Sequence, residues 1–91
     1  MKVRAHVTIR GRVQGVYYRS SMKDEAQALG ICGWVKNKPD GSVEGILEGR
    51  REDVEKLIEW CRQGPPMAEV STVTTEWKDF TGKFSGFKIA F

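Results

Sequence analysis

The segment Gly11-Arg12-Val13-Gln14-Gly15-Val16-Tyr17-Tyr18-Arg19 joins an alternating strand pattern to a helix, and its residue types suit an anion. A glycine at such a turn lets backbone N–H groups converge on the helix N-terminus, where unpaired donors and the helix dipole favour negative charge. Gly15 permits close approach of the backbone to a ligand and a positive φ. Arg19, at the start of the helix, offers a planar fork of donors matched to phosphate oxygens, which a lysine ammonium does not. Further on, Gly33-Trp34-Val35-Lys36-Asn37 puts an asparagine on the next strand. An amide cannot act as a base, but it can hold a water by hydrogen bonding. A phosphate cradle, an arginine and a water-holding amide together imply a small phosphoryl hydrolase that works by positioning and charge stabilisation. The proton of the attacking water is then expected to pass to a phosphate oxygen of the substrate itself.

Each residue also has an ordinary reading. An arginine after a loop is commonly solvated or ion-paired, and a glycine there can serve only the turn. Lys38-Pro39-Asp40-Gly41 gives Asn37 a possible role in turn formation. The glycine spacing matches neither G-x-x-x-x-G-K-[ST] nor G-x-G-x-x-G, which argues against a nucleotide P-loop or a dinucleotide site. His6 is the sole histidine and falls on the polar face of the first strand, so no metal-ligand spacing is formed around it. Glu52, Asp53, Glu55 and Glu59 read as the solvated face of a helix, and Trp34, although beside the site, as a core residue.

The elements that must position the site follow from periodicity. Val3, Ala5, Val7 and Ile9 alternate with Arg4, His6, Thr8 and Arg10, a strand with one buried face. Gly11 to Tyr18 reads as a loop. A helix follows, capped by Ser20 or Ser21, with Met22, Ala26 and Leu29 as its apolar stripe and Gly30 as its stop. Ile31 to Lys38 and Val43 to Gly49 read as strands joined by the turn Pro39-Asp40-Gly41-Ser42. A second helix from Glu52 carries Val54, Leu57, Ile58 and Cys61 on one face and stops at Gly64-Pro65-Pro66. Ala68 to Lys78 is a fourth strand, Asp79 to Lys83 a turn, and Phe84 to Phe91 a short aromatic strand. The order β-α-β-β-α-β, plus a terminal strand, predicts a ferredoxin-like α+β sandwich: an antiparallel sheet with two helices on one face.

The chain has 91 residues, a length for one domain spanning 1–91, with 40% hydrophobic and 30% charged residues. Net charge is +3, enough to favour anionic ligands but far from a nucleic-acid tail, and no basic run exceeds Arg50-Arg51. Cys32 and Cys61 form no metal or C-x-x-C motif, and two buried or half-buried thiols are expected, with a disulfide the alternative. The N-terminal residues do not resemble a signal peptide, and no apolar run has membrane-spanning length. A cytoplasmic monomer with no membrane or nucleic-acid partner is expected.

The two segments also carry a family resemblance. Gly11 to Arg19 resembles the acylphosphatase signature G-x-V-Q-G-V-x-[FY]-R. Gly33-Trp34-Val35-Lys36-Asn37, followed by Asp40-Gly41-Ser42-Val43-Glu44, resembles the family's second signature, G-x-V-x-N-x-x-D-G-x-V-E. The likeness spans nearly the whole chain. It implies a metal- and cofactor-free hydrolase of acyl phosphates, with Arg19 and Asn37 as catalytic residues and the Gln14, Gly15, Val16, Tyr17, Tyr18 and Arg19 backbone around the phosphoryl group. Inorganic phosphate, the product, is then expected to inhibit competitively. Family members usually carry a small or apolar residue at the position of Tyr17, which leaves acyl-group preference open.

Two other classes compete. An RNA-recognition module has the same strand order, and Lys83 to Phe91 faintly echoes its aromatic RNP1 pattern. That pattern belongs to the third strand, which here, Val43 to Gly49, has no aromatic residue. A non-catalytic phosphate or carbamoyl-phosphate sensor could use the same cradle, but would have little use for a water-holding amide.

Overall fold

In the computed structural model, which describes residues 1–91, the alternation of Val3, Ala5, Val7 and Ile9 with polar neighbours becomes strand β1 (Lys2–Arg12). The elements that follow are α1 (Tyr18–Ala28), β2 (Cys32–Asn37), β3 (Val43–Arg50), α2 (Arg51–Gln63), β4 (Glu69–Lys78) and β5 (Phe87–Ile89). The five strands form one sheet in the order β4-β1-β3-β2-β5. β1 is antiparallel to both β3 and β4, and β2 is antiparallel to β3. The expected ferredoxin-like α+β sandwich is therefore present. Its core joins Ala5, Val7 and Ile9 of β1 to Met22 and Ala26 of α1 and to Val54, Leu57, Ile58 and Cys61 of α2.

Several boundaries differ from the sequence reading, each for a local reason. β1 runs on through Gly11 and Arg12, because a register shift against β4 between Arg10 and Gly11 absorbs the irregularity as a bulge. The loop therefore starts at Val13. α1 begins at Tyr18 rather than after Ser20 or Ser21, with Tyr17 as the N-cap residue and no side-chain cap. What fixes this start is the Tyr18 ring, which is buried and donates its hydroxyl to the Cys61 carbonyl of α2 at 2.7 Å. At the other end Gly30 does stop the helix. Its N–H bonds the Gln27 carbonyl at 3.2 Å, and the Ile31 N–H bonds the Ala26 carbonyl at 2.9 Å, a Schellman closure.

The sheet is mixed rather than wholly antiparallel. β5 is three residues long, not eight, and it lies parallel to β2 in the register Val35↔Ile89. β4 occupies one edge of the sheet and β5 the other. Residues 79–86 connect them across the sheet, so much of the expected terminal strand is spent on that connection.

Glu48 of β3 anchors this connection. It is 2% exposed. Its carboxylate accepts the Thr81 N–H at 3.0 Å, the Thr81 hydroxyl at 2.7 Å and the Gly82 N–H at 3.0 Å, with the Arg4 Nε at 3.4 Å. Burial alone would raise its pKa. The donors from Thr81 and Gly82 and the Arg4 charge outweigh that and hold it below the ordinary carboxylate value. A depressed folded-state pKa contributes stability that is complete above the unfolded value, about 4.3, and is lost as pH falls through the folded value. Glu48→Gln is expected to cost about 2–4 kcal/mol in urea unfolding at pH 7, by leaving buried donors without their anion. The difference from the parent should shrink as the pH is taken below about 4. A pH-independent difference would mean that packing, not the carboxylate, holds the connection.

Candidate active site

The local sequence folds the glycine-rich segment into a tight turn that leaves the start of α1 open. Gly15 takes a φ of 74° and Tyr17 a φ of 64°, so the chain turns left-handed twice before the first helical residue. The first turn of α1 contains no acidic side chain, whereas that of α2 holds Glu52 and Asp53. The positive end of α2 is thus offset within the chain, and that of α1 is not. Arg19 sits in this first turn, half-buried, and takes part in no ion pair. Arg4, Arg10, Arg50, Arg51 and Arg62 each have a carboxylate partner. The nearest charged-group contact of Arg19 is aromatic: its guanidinium lies 5.5 Å from the centre of the Phe91 ring.

Asn37, the last residue of β2, comes to the same place. A cleft of about 370 Å³ is lined by Gly15, Tyr17, Tyr18, Arg19, Ser20 and Asn37, with Val13, Ile89 and Phe91 completing its wall. The Asn37 Oδ1 is buried and has no hydrogen-bond partner within the protein. A buried acceptor without a donor is destabilising, so its persistence points to a ligand or water that supplies the donor. The backbone around Asn37 is held by Gln14, whose side-chain amide donates to the Lys38 carbonyl at 2.8 Å and the Ser42 carbonyl at 2.9 Å. Asp40 stiffens the same turn by accepting the Ser42 N–H at 2.9 Å and the Ser42 hydroxyl at 2.6 Å. Those bonds, with the nearby Arg10 charge, lower its pKa to about 2.

Of the residues expected around the phosphoryl group, the structure brings Gly15, Tyr17, Tyr18 and Arg19 into one cleft, together with Asn37, the residue expected to hold the water. The side chains of Gln14 and Val16 go elsewhere: Gln14 to the β2–β3 turn, and Val16, 2% exposed, into the core. Trp34 is neither in the core nor at the cleft. It is half-buried on the helix-free face of the sheet, where the Lys36 ammonium lies 5.3 Å from its ring centre. His6, on that same face, pairs through Nε2 with Glu44 at 2.7 Å. Both cysteines are free, Cys61 buried and Cys32 half-buried, and burial pushes the Cys61 thiol up to about 12.

Sequence reasoning missed Val13, Ser20, Ile89 and Phe91 as cleft residues. Val13 lies within the signature and Ser20 directly follows it, so both were legible from it. Ile89 and Phe91 were not, because they reach the cleft only through the parallel pairing of β5 with β2, extended by the Ala90 N–H to the Val35 carbonyl at 2.8 Å. No group of three or more His, Cys, Asp or Glu side chains is arranged to hold a metal ion, and no helix is long and apolar enough to cross a membrane.

Fold and site together define an α+β sandwich with a cleft at a helix N-terminus, lined by one arginine and one asparagine. Comparison with known proteins narrows this class. The family model described as Acylphosphatase matches residues 5–89, and the chain belongs to the acylphosphatase family. It is 63% identical to an acylphosphatase of Pelotomaculum thermopropionicum over 99% of this chain and 98% of that protein. An acylphosphatase of Geotalea uraniireducens is 52% identical over the full length of both. Among solved structures, an acylphosphatase from Coxiella burnetii superposes with a TM-score of 0.93 at 39% identity, covering 98% of this chain and 93% of that one.

Proposed function

We propose that this chain hydrolyses the carboxyl–phosphate bond of small acyl phosphates, as a single domain over residues 1–91, giving a carboxylate and inorganic phosphate. The backbone N–H groups of residues 14–19 and the Arg19 guanidinium bind the phosphoryl oxygens. Asn37 holds the water through its side-chain amide. The water oxygen bonds to phosphorus as the bond from phosphorus to the acyl oxygen breaks, and the departing carboxylate takes that electron pair. A carboxylate leaves without needing a proton, so no general acid is required, and the water's proton passes to a phosphoryl oxygen. The observation that carries this reading is the meeting, in one cleft, of an Arg19 with no ion-pair partner and a buried Asn37 Oδ1 with no donor.

The unpaired thiols of Cys32 and Cys61 favour a reducing, cytoplasmic compartment, and the protein acts there as a monomer without a metal or other cofactor. A phosphate or carbamoyl-phosphate sensor is the second reading, and the orphaned Asn37 oxygen argues against it. The test is hydrolysis of benzoyl phosphate in excess EDTA, following benzoate and phosphate together. Equal release of both at an undiminished rate is expected, with inorganic phosphate inhibiting competitively. No turnover with phosphate still binding would move the reading to the sensor, and loss of rate in EDTA would overturn the metal-free mechanism.

A further inference from the structure

Tyr17 is the one non-glycine residue with a positive φ, at 64°. That region is disfavoured for any side chain with a Cβ, and glycine would occupy it freely. Nothing in the fold repays the tyrosine. The residue is 74% exposed. Its hydroxyl makes no hydrogen bond, and its ring has neither an aromatic partner nor a cation over it. The other exposed aromatic rings differ in this respect: Trp77 lies under the Arg51 guanidinium at 4.4 Å and Phe80 under the Lys2 ammonium at 5.4 Å. A strained backbone holding an idle aromatic ring, at the lip of a functional cleft, points to a role outside the fold.

The cleft itself indicates the role. Its polar groups are Arg19, Asn37 and the start of α1, and these belong to the phosphoryl end of the substrate. The acyl end must then extend away from them toward the remaining lining residues: Tyr17, Val13, Ile89 and Phe91. Phe91 is fully exposed at 102%. Two exposed aromatic rings, the unpartnered Tyr17 and Phe91 beside the Arg19 guanidinium, therefore stand at the mouth of the cleft, where the leaving group departs.

We infer that Tyr17, with Phe91 as a second wall, forms an acyl subsite that selects flat aromatic or extended apolar acyl groups over small ones such as acetyl. This rests on the proposed hydrolase reading and adds a specificity-determining residue to it. An aromatic acyl group stacked on Tyr17 gains the offset-ring attraction and buries apolar area, whereas acetyl gains almost neither. A single apolar contact of this kind commonly discriminates by about tenfold.

The test is the ratio of kcat/KM for benzoyl phosphate to that for acetyl phosphate, measured for the parent, Tyr17→Gly and Tyr17→Phe. Glycine suits the left-handed backbone, so Tyr17→Gly should melt no lower than the parent, and misfolding does not confound the result. The expected outcome is a ratio that falls about tenfold in Tyr17→Gly and stays within about twofold of the parent in Tyr17→Phe. An unchanged ratio in Tyr17→Gly, or one that falls equally in Tyr17→Phe, overturns the inference and leaves the hydrolase reading standing. A parent that turns over neither substrate overturns the hydrolase reading, and the subsite with it.

Discussion

Arg19→Lys lowers kcat/KM for benzoyl phosphate by about 10³-fold, within the range lost when a phosphoryl-binding arginine is removed. The substitution keeps the charge, so the loss isolates geometry. Lysine presents a compact point charge on a flexible stem, and it cannot bridge two phosphoryl oxygens as the planar guanidinium does. The effect is confined to the site. Arg19 has no carboxylate within ion-pairing distance, and the backbone on either side is fixed independently. The Tyr18 hydroxyl reaches the Cys61 carbonyl at 2.7 Å, and Ser20 Oγ donates to the Tyr17 carbonyl at 3.2 Å. Stability measured by urea unfolding should therefore stay within about 0.5 kcal/mol of the parent. Substantial turnover by Arg19→Lys would reduce Arg19 to a general source of positive charge.

Asn37→Ala gives the second large effect, a fall of about 10²–10³-fold in kcat, the usual consequence of removing one well-placed polar group from a reacting centre. Its signature is an unchanged stability. The Asn37 Oδ1 has no donor from the protein. Deleting it therefore breaks no bond within the fold, and the variant should stay within about 0.5 kcal/mol of the parent. Its backbone pairing with Val43 is untouched. An inactive, equally stable protein is expected from initial rates and thermal melting measured side by side. A variant that loses stability and activity together would make Asn37 a structural residue of the β2–β3 turn.

Much of this was legible in the chain because local chemistry and tertiary packing agree. The alternation in β1 and the i, i+3, i+4, i+7 pattern of Val54, Leu57, Ile58 and Cys61 each name a buried face, and the structure buries those faces. Arg19 and Asn37 stand out through the two signature-like segments that carry them, since an arginine after a loop or an asparagine before a turn is ordinary by itself. Gln14 shows what such reasoning does not reach: its backbone is expected beside the phosphate, but nothing in its place in the chain says that its side-chain amide ties the Lys38 and Ser42 carbonyls. The start of α1 misled for a related reason. Serines at 20 and 21 look like caps, but burial of Tyr18 draws the helix start forward and leaves the helix N-terminus without a side-chain cap. β5 was least legible. Its parallel pairing is non-local, and the anchor that guides the chain there is Glu48, a charged residue buried on β3 that no periodicity marks.

The division of labour between the two site residues is tested most directly by the dissociation constant of inorganic phosphate for the parent, Arg19→Lys and Asn37→Ala, measured by titration calorimetry. If Arg19 and the α1 amides bind the phosphoryl group while Asn37 holds the water, Asn37→Ala binds phosphate within about threefold of the parent, and Arg19→Lys binds it more weakly by at least about tenfold. Parallel loss in both variants, or parental affinity in Arg19→Lys, would contradict that division.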